Sequence, residues 1–190
     1  MIAYKFLRAG GIGPFSGFHW PLPAGGPGQW VDAGEDPRMC EHAVHACSAD
    51  GLALWLDAEL WRIELDAPLD EAHGKLAARR GRLLARVEAW NAQTALEFAT
   101  ACAERVAERA AVAARDLDGD APWVRRSSAL AADAAAYAAG RVGDRNRPVA
   151  LAAAAAYIAA EAAWQSEGAS AATGERVWQA AWIAARVGLT

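Results

Sequence analysis

Two of the three cysteines and two of the four histidines lie within one eight-residue stretch, in the order Cys40, His42, His45 and Cys47. Thiols and imidazoles act as nucleophiles and as ligands for borderline-soft metals, so this spacing suggests covalent or metal chemistry. One helix would put the cysteines and the histidines on different faces, and one strand would split the four into two pairs. The central Ala-Val pair is a poor hairpin turn, so we do not expect a closed four-ligand site from this segment alone.

Three interpretations of this stretch remain open. In the first, Cys40, His45 and Cys47, with or without His19 or His73 from elsewhere in the chain, hold zinc or another borderline-soft ion. In the second, Cys47 ends a strand just before a helix N-terminus, which favours its thiolate and makes it a nucleophile beside His45. In the third, His45 and Cys47 are core residues of a buried strand, and a backbone carbonyl satisfies the imidazole.

Charged residues farther along the chain offer further candidates. A basic cluster could receive a phosphate or a carboxylate, with Arg80 and Arg82 as its ligand-binding residues, or it could be a solvated face. Glu59 and Glu64 bracket a predicted strand, and Glu64 could act as a general base or stabilise a developing cation. The alternative for both carboxylates is ordinary surface charge.

Short alternating segments in the first half predict the elements that position these residues. Residues 3–8, 43–47 and 60–66 are expected to be strands, and the second of these is followed by Ser48 as the N-cap of a short helix. Residues 75–87 fit a helix and a strand equally. The loop 10–34 is rich in proline and carries several aromatic residues, including Trp20. It either plugs the core or covers a ligand, in which case Trp20 contacts that ligand.

Composition changes near residue 90, where the chain becomes alanine-rich with helical periodicity. Helices are predicted at 91–115, 124–139, 148–165 and 175–187. The acidic segment 116–120 between the first two lacks the closing glutamate of a calcium loop, which favours a solvated turn. The predicted fold is α+β: a small mixed sheet domain at 1–88 followed by an antiparallel helical bundle at 89–190.

Net charge excludes some classes of partner. The chain has a formal net charge of -4 over 190 residues and a pI near 5.6, whereas nucleic-acid and anionic-membrane binding both need a basic footprint. Because charged residues appear at once in residues 1–8, we expect no signal peptide, and we expect the apolar run 149–164 to be a buried helix too short to cross a bilayer. Three cysteines do not form a disulfide framework. We therefore expect a cytoplasmic protein without nucleic-acid or membrane partners.

Residues 2–88 resemble, in the order of their features, a family of bacterial and phage proteins of unknown function. Members have a Tyr-Lys strand, an aromatic loop, a Cys-x-x-Gly-x-His-x-Cys element, a short helix and a Glu-Val-Glu-like strand. Here these parts are Tyr4-Lys5, residues 40–47, 52–56 and 61–65, with Ala43 in place of the usual glycine. The resemblance implies no particular activity.

The same order is distantly similar to ADP-ribosyltransferase-like domains. In those domains a tyrosine-containing strand, a second strand followed by a helix, and a later glutamate surround NAD. The similarity implies that Tyr4 or Arg8, His45 and Glu64 occupy the corresponding places. The second strand lacks the serine or threonine motif of that family, and the paired glutamate motif is also missing.

These observations give three functional hypotheses. The first is a small-molecule or metal-binding protein centred on Cys40, His45 and Cys47, with zinc as the candidate metal. The second is an NAD-dependent ADP-ribosyltransferase-like enzyme. The third is partner binding or homo-oligomer formation through the helical half, using its tryptophans Trp164, Trp178 and Trp182.

Overall fold

The computed structural model describes residues 1–72, 74–116 and 148–189. The chain divides into two compact units. The sheet unit contains Met1–Asn91 together with Ala184–Thr190, and the helical unit contains Ala92–Ile183. This mixed α+β architecture confirms the predicted fold class.

Five antiparallel strands form the sheet unit. They are β1 (Ile2–Leu7), β2 (Val31–Asp32), β3 (Val44–Cys47), β4 (Glu59–Ala72) and β5 (Lys75–Arg86). A short 3-10 helix, Ala49–Leu54, follows β3.

The sheet closes on itself because the β4–β5 hairpin is long enough to be paired on both of its outer edges. β5 pairs with β4 along one edge and with β3 and then β2 along the other, while β1 pairs with both β3 and β4. Register shifts interrupt the hairpin between Arg62 and Ile63 and between Pro68 and Asp70. Such irregularities increase the local bend that closure requires.

Alternating residues of the strands fill the interior of the closed sheet. Ile63 and Leu65 of β4 and Leu83 of β5 are almost fully buried there. Gly81 of β5 leaves room for Ile63, Leu65 and Val44, because a Cβ at this position would lie 3.2, 3.1 and 2.7 Å from their nearest methyl carbons. Strand pairing therefore depends on a glycine in the middle of β5.

Gly51 and Gly74 bring the 3-10 helix against the β4–β5 turn. A Cβ on Gly51 would lie 2.3 Å from the Gly74 carbonyl oxygen, and Gly74 itself has φ +72°. The Ser48 amide donates to the same carbonyl, at 3.1 Å. These contacts fix the end of β3 beside the start of β5, where the candidate site lies.

The described part of the helical unit contains α1 (Ala92–Asp116), α2 (Pro148–Glu167) and most of α3 (Ala169–Arg186). Gly168 alone separates α2 from α3 and has φ +88°. The side-chain amide of Gln179 in α3 donates a hydrogen bond to the Ala156 carbonyl oxygen of α2 at 2.9 Å. Along the sequence, the two residues lie on opposite sides of Gly168 and are separated from it by nearly the same number of residues. The two helices therefore run antiparallel, and buried alanines let them approach closely.

No helix in the described ranges is both long enough and apolar enough to span a membrane.

Most of the predicted elements are confirmed. The strands at 3–8, 43–47 and 60–66 and the helices at 91–115, 148–165 and 175–187 all form, with ends shifted by a few residues or more. The undecided segment 75–87 is strand β5, because it pairs with β4 over its whole length. The predicted helix 124–139 and most of the acidic turn 116–120 lie outside the described residues.

Candidate functional site

Lysine is rare in this chain, and both lysines reach the same place. Of the 19 basic Lys and Arg residues, only Lys5 and Lys75 are lysines. Lys5 lies in β1 and Lys75 opens β5, and each is close enough to His45 for its charge to act on the imidazole. We call Lys5, Cys40, His45 and Lys75 the lysine cluster.

Lys5 occupies an inward position of β1. Its neighbours on the same face, Ala3 and Leu7, belong to the sheet core. The ammonium lies 4.8 Å from the centre of the Trp20 ring and donates to the His45 carbonyl oxygen. Burial lowers the pKa of Lys5 from 10.5 to about 8; the neighbouring Cys47 opposes this shift, and the charge of Lys75 adds to it by a smaller amount. A neutral amine is therefore accessible near physiological pH.

Lys75 is half-buried at the start of β5, directly after the Gly74 turn. Its ammonium donates to Sγ of Cys40 at 3.1 Å and lies 5.4 Å from the centre of the Trp55 ring. In the described ranges, neither Lys75 nor Lys5 forms an ion pair with a carboxylate. The cluster therefore carries positive charge that the described side chains do not neutralise.

His45 fixes the loop that carries Cys40. Its Nε2 accepts a hydrogen bond from the backbone amide of Cys40 at 3.1 Å, so this nitrogen is unprotonated. Burial first, then the charges of Lys75 and Lys5, lower the pKa of His45 from 6.5 to about 4. Cys40 is exposed and has φ +68°, a conformation that non-glycine residues seldom adopt. The predicted role of His45 as a catalytic base is disfavoured, since its free lone pair already holds the loop.

Cys47 does not have the properties predicted for a nucleophile. The residue is only 2% exposed. Burial raises the pKa of its thiol to about 12, although the Lys5 charge opposes this shift. The following helix is a short 3-10 helix rather than an α-helix. Its weak dipole is outweighed by desolvation, so the thiol stays protonated near neutral pH.

The predicted zinc site does not form from Cys40, His45 and Cys47. In the described ranges there is no group of three or more His, Cys, Asp or Glu residues placed to hold a metal ion. Cys40 is exposed whereas Cys47 is buried, and Nε2 of His45 is already hydrogen-bonded. Of the two predicted helper ligands, His19 lies in the loop after β1 and His73 lies outside the described residues.

The arginines of β5 are arranged differently from the lysines, because each one meets a carboxylate. Arg82 pairs with Glu64 at 2.7 Å, and Arg80 lies 3.7 Å from Asp66. Both guanidinium groups also contact the Trp30 ring, with Arg80 at 4.9 Å and Arg82 at 4.7 Å from its centre. The remaining pairs join Arg79 and Arg80 to Asp32, and Arg86 to Glu59 and Glu88. We call these four arginines the arginine row, and its charge is largely neutralised within the sheet unit.

Glu59 has a structural role at the start of β4. It is 7% exposed and accepts hydrogen bonds from the amides of Gly10 and Gly11 and from the Trp61 indole. The carboxylate therefore anchors the turn that follows β1.

Residues suggested by the similarity to ADP-ribosyltransferase-like domains lie on different strands. His45 pairs with Ala77 and Glu64 with Arg82, which separates them by roughly 16 Å along β5. Tyr4 lies opposite Cys47 on β1. The Arg8 guanidinium donates to the Pro14 carbonyl in the adjoining loop. An NAD-dependent function through these residues stays a prediction.

The aromatic loop 10–34 contributes to both the core and the surface. Trp20 is 8% exposed and packs in the sheet core, where Phe18 meets its ring edge-on at 5.8 Å. Phe15, in contrast, is 86% exposed. The loop thus plugs the core with Trp20, and the same ring forms one wall beside the Lys5 ammonium.

A second group of charged residues, which the sequence did not predict, lies in the helical unit. Glu175 is 1% exposed. Its carboxylate oxygens accept hydrogen bonds from Nε of Arg105 at 3.0 and 2.8 Å, and one of them accepts a hydrogen bond from Nη2 of Arg109 at 3.4 Å. Gln179 lies 3.4 Å from the same carboxylate. We call Arg105, Arg109, Glu175 and Gln179 the Glu175 network; its members satisfy one another.

The three helical tryptophans have different surroundings. Trp178 lies under the Arg105 guanidinium at 4.1 Å, and Trp182 packs against Phe98 at 5.3 Å. Trp164 is 54% exposed and borders an open groove. Self-association through these residues stays a prediction.

Comparison with known proteins adds no further constraint, because no family model, curated protein or solved structure matches this chain.

Sequence reasoning located Cys40 and His45 but missed the two lysines beside them. One signal was present: the chain uses arginine at every other basic position. Arginine cannot lose its proton in a protein, whereas a buried lysine can. Lys5 and Lys75 are therefore the only two side-chain amines in the sequence.

Proposed function

We propose that the sheet unit binds a small molecule at the lysine cluster, and that this ligand carries a carboxylate or phosphate group. The observation that supports the proposal is the convergence of the chain's only two lysines, with no carboxylate partner in the described ranges. Two nearby ammonium groups repel each other, and an anion between them relieves that repulsion.

The chemistry of the surrounding side chains favours an organic anion over a bare ion. Trp20 and Trp55 each present an aromatic face within reach of a lysine ammonium. Aromatic walls with a few polar groups are typical of small-molecule sites. Cys40 and His45 add a thiol and a neutral imidazole at the exposed side.

The arginine row is the natural competitor for an anion, since guanidinium groups bind oxyanions well. Carboxylate side chains of the sheet unit already pair with these arginines, so we expect an added anion to prefer the lysine cluster. This difference permits a matched control within the same closed sheet.

The test is an NMR titration of the full chain with inorganic phosphate and, separately, with lactate. We expect both anions to shift the indole N–H signal of Trp20 and to bind more weakly at high salt. Lys75→Gln should weaken binding by about tenfold or more, because a charge-assisted hydrogen bond is lost. Lys75→Arg should retain most of the affinity.

Arg82→Gln is the control and should leave both affinities unchanged. If Arg82→Gln weakens binding while Lys75→Gln does not, the anion lies on the arginine row and the proposal is wrong. It is equally wrong if neither anion binds the wild-type chain.

A further inference from the structure

We infer that Lys5 is an amine that captures a carbonyl-bearing acid, such as a 2-oxo acid, as an imine. This inference rests on the proposed function, because it assigns a ligand class and a covalent step to the same cluster. Lys75 would hold the acid group, and Lys5 would react with the carbonyl carbon.

Lys5 is better placed for this reaction than Lys75. Its ammonium lies against Trp20 at the edge of the sheet core and donates to a backbone carbonyl rather than to a carboxylate. After loss of one proton, the amine keeps an N–H for the His45 carbonyl and gains a free lone pair. Its pKa of about 8 makes this neutral form available near neutral pH.

Lys75 supplies two further functions that the reaction needs: it attracts the acid group, and it donates a proton. The Lys75 ammonium attracts the carboxylate of the ligand, and it can also give a proton to the carbonyl oxygen. An arginine at this position could supply charge but could not donate that proton, because its pKa is too high. Both lysines of the chain thus have different roles in one step.

The reaction balances without an oxidant or a reductant. The neutral Lys5 Nζ attacks the carbonyl carbon, a C–N bond forms, and the C=O π electrons pass to the oxygen, which takes a proton from the Lys75 ammonium. The attacking nitrogen, now positively charged, returns one proton to the Lys75 amine and leaves a neutral carbinolamine. Lys75 then gives that proton to the hydroxyl group, the nitrogen lone pair forms the C=N bond, the C–O bond breaks, and one molecule of water leaves. The product is a protonated imine between Nζ and the former carbonyl carbon, and the positive charge has passed from Lys75 to this imine.

Reductive trapping of the full-length chain with pyruvate and cyanoborohydride tests the inference. Each trapped imine adds the mass of pyruvic acid less one oxygen atom, because water leaves and two hydrogens are added. The chain has only three amines that can react: the N-terminus, Lys5 and Lys75. Peptide mapping after cleavage at arginine assigns the adduct to one of them.

We expect the adduct on Lys5, faster than on Lys75 and with a rate that rises as the pH approaches 8. Lactate lacks the carbonyl and should slow trapping by competition without forming an adduct. Lys5→Arg and Lys5→Met should both abolish the internal adduct. Circular dichroism checks that each variant is folded, and the second variant tests the inference if the first fails to fold.

Three results would overturn the inference. They are an adduct confined to the N-terminus or Lys75, equal labelling of both lysines as in the urea-unfolded chain, and undiminished trapping in the folded Lys5 variants. If lactate and phosphate still bind while Lys5 stays unmodified, only the inference is wrong. If neither binding nor trapping occurs, the proposed function is wrong as well.

Discussion

The lysine cluster and the Glu175 network are both partly buried groups of charged residues, but their charge balance differs. In the helical unit, Arg105 and Arg109 close on one carboxylate that is 1% exposed. In the sheet unit, Lys5 and Lys75 have no carboxylate partner in the described ranges. The opposite charges of the Glu175 network compensate one another, whereas the lysine cluster keeps an uncompensated positive charge and a titratable amine.

This difference predicts opposite effects on stability. Removing the carboxylate from a satisfied network leaves guanidinium groups unpaired and should destabilise the fold. Removing a buried cation that has no counter-ion should stabilise it. Residues whose removal stabilises a protein are common at functional sites, where activity rather than stability sets the residue type.

The largest expected effect is that of Glu175→Ala. It should lower the free energy of unfolding by about 3 to 5 kcal/mol, because Arg105 and Arg109 lose their shared partner. Urea unfolding followed by circular dichroism measures this. Glu167→Ala is the control, since Glu167 pairs with Arg109 but is largely exposed, and should cost less than about 1 kcal/mol. Equal losses in the two variants would contradict the assignment of a structural network.

The second prediction concerns Lys5→Met, which should raise the free energy of unfolding at pH 7 by on the order of 1 kcal/mol. Lys5 has its pKa lowered in the folded chain from 10.5 to about 8. The wild-type chain should therefore gain stability as the pH rises from 8 to 10.5, because only the unfolded form stays protonated in that range.

Urea unfolding of wild type and Lys5→Met across this pH range gives the comparison. The difference in the free energy of unfolding between wild type and Lys5→Met should become smaller as the pH rises. A variant that is less stable than wild type at pH 7 would mean that Lys5 is a structural residue like Arg105.

His45→Ala should have an effect of similar size and opposite sign, about 1 kcal/mol of destabilisation, because the Cys40 amide loses its acceptor. The pKa of His45 is lowered from 6.5 to about 4 in the folded chain. Wild type should therefore lose stability as the pH falls from 6.5 towards 4, since the unfolded form takes up the proton first.

That acid-dependent loss should be reduced in His45→Ala and retained in His42→Ala, the matched control at an exposed position. Thermal unfolding between pH 4 and 7 measures both. An identical pH dependence in the two variants would show that His45 does not hold the Cys40 loop.

The smallest effect is expected for Arg82→Gln. Arg82 and Glu64 are about one-third exposed, and pairs of this kind contribute about 1 kcal/mol or less. Urea unfolding should place this variant close to wild type, which also qualifies it as the binding control. A loss comparable to that of Glu175→Ala would put the arginine row in the same structural class as the Glu175 network.

Much of the fold could be predicted from the sequence because its signals are local. Alternation at 60–66 and the proline and alanine pattern at 148–165 specify their elements without long-range information. The segment 75–87 could not be decided, because its strand conformation depends on pairing with β4 and its glycine fits only inside the closed sheet.

The candidate site was harder to predict for the same reason. Cys40 and His45 are close in sequence, but Lys5 and Lys75 join them only through the pairing of β1 and β5 with β3. The predicted thiolate at Cys47 is disfavoured, because burial raises the pKa of this thiol to about 12 and the charge of Lys5 offsets only part of that shift. Burial of this kind depends on the packed structure and has no signature in the local sequence.

The placement of both lysines in one cluster has a practical consequence for anyone handling this protein. Reagents that attach dyes, beads or sensor surfaces through amines have only the N-terminus and these two side chains to attack. Immobilisation through either lysine would block the proposed ligand site, so the chain is better tethered through an added tag or coupled by another chemistry.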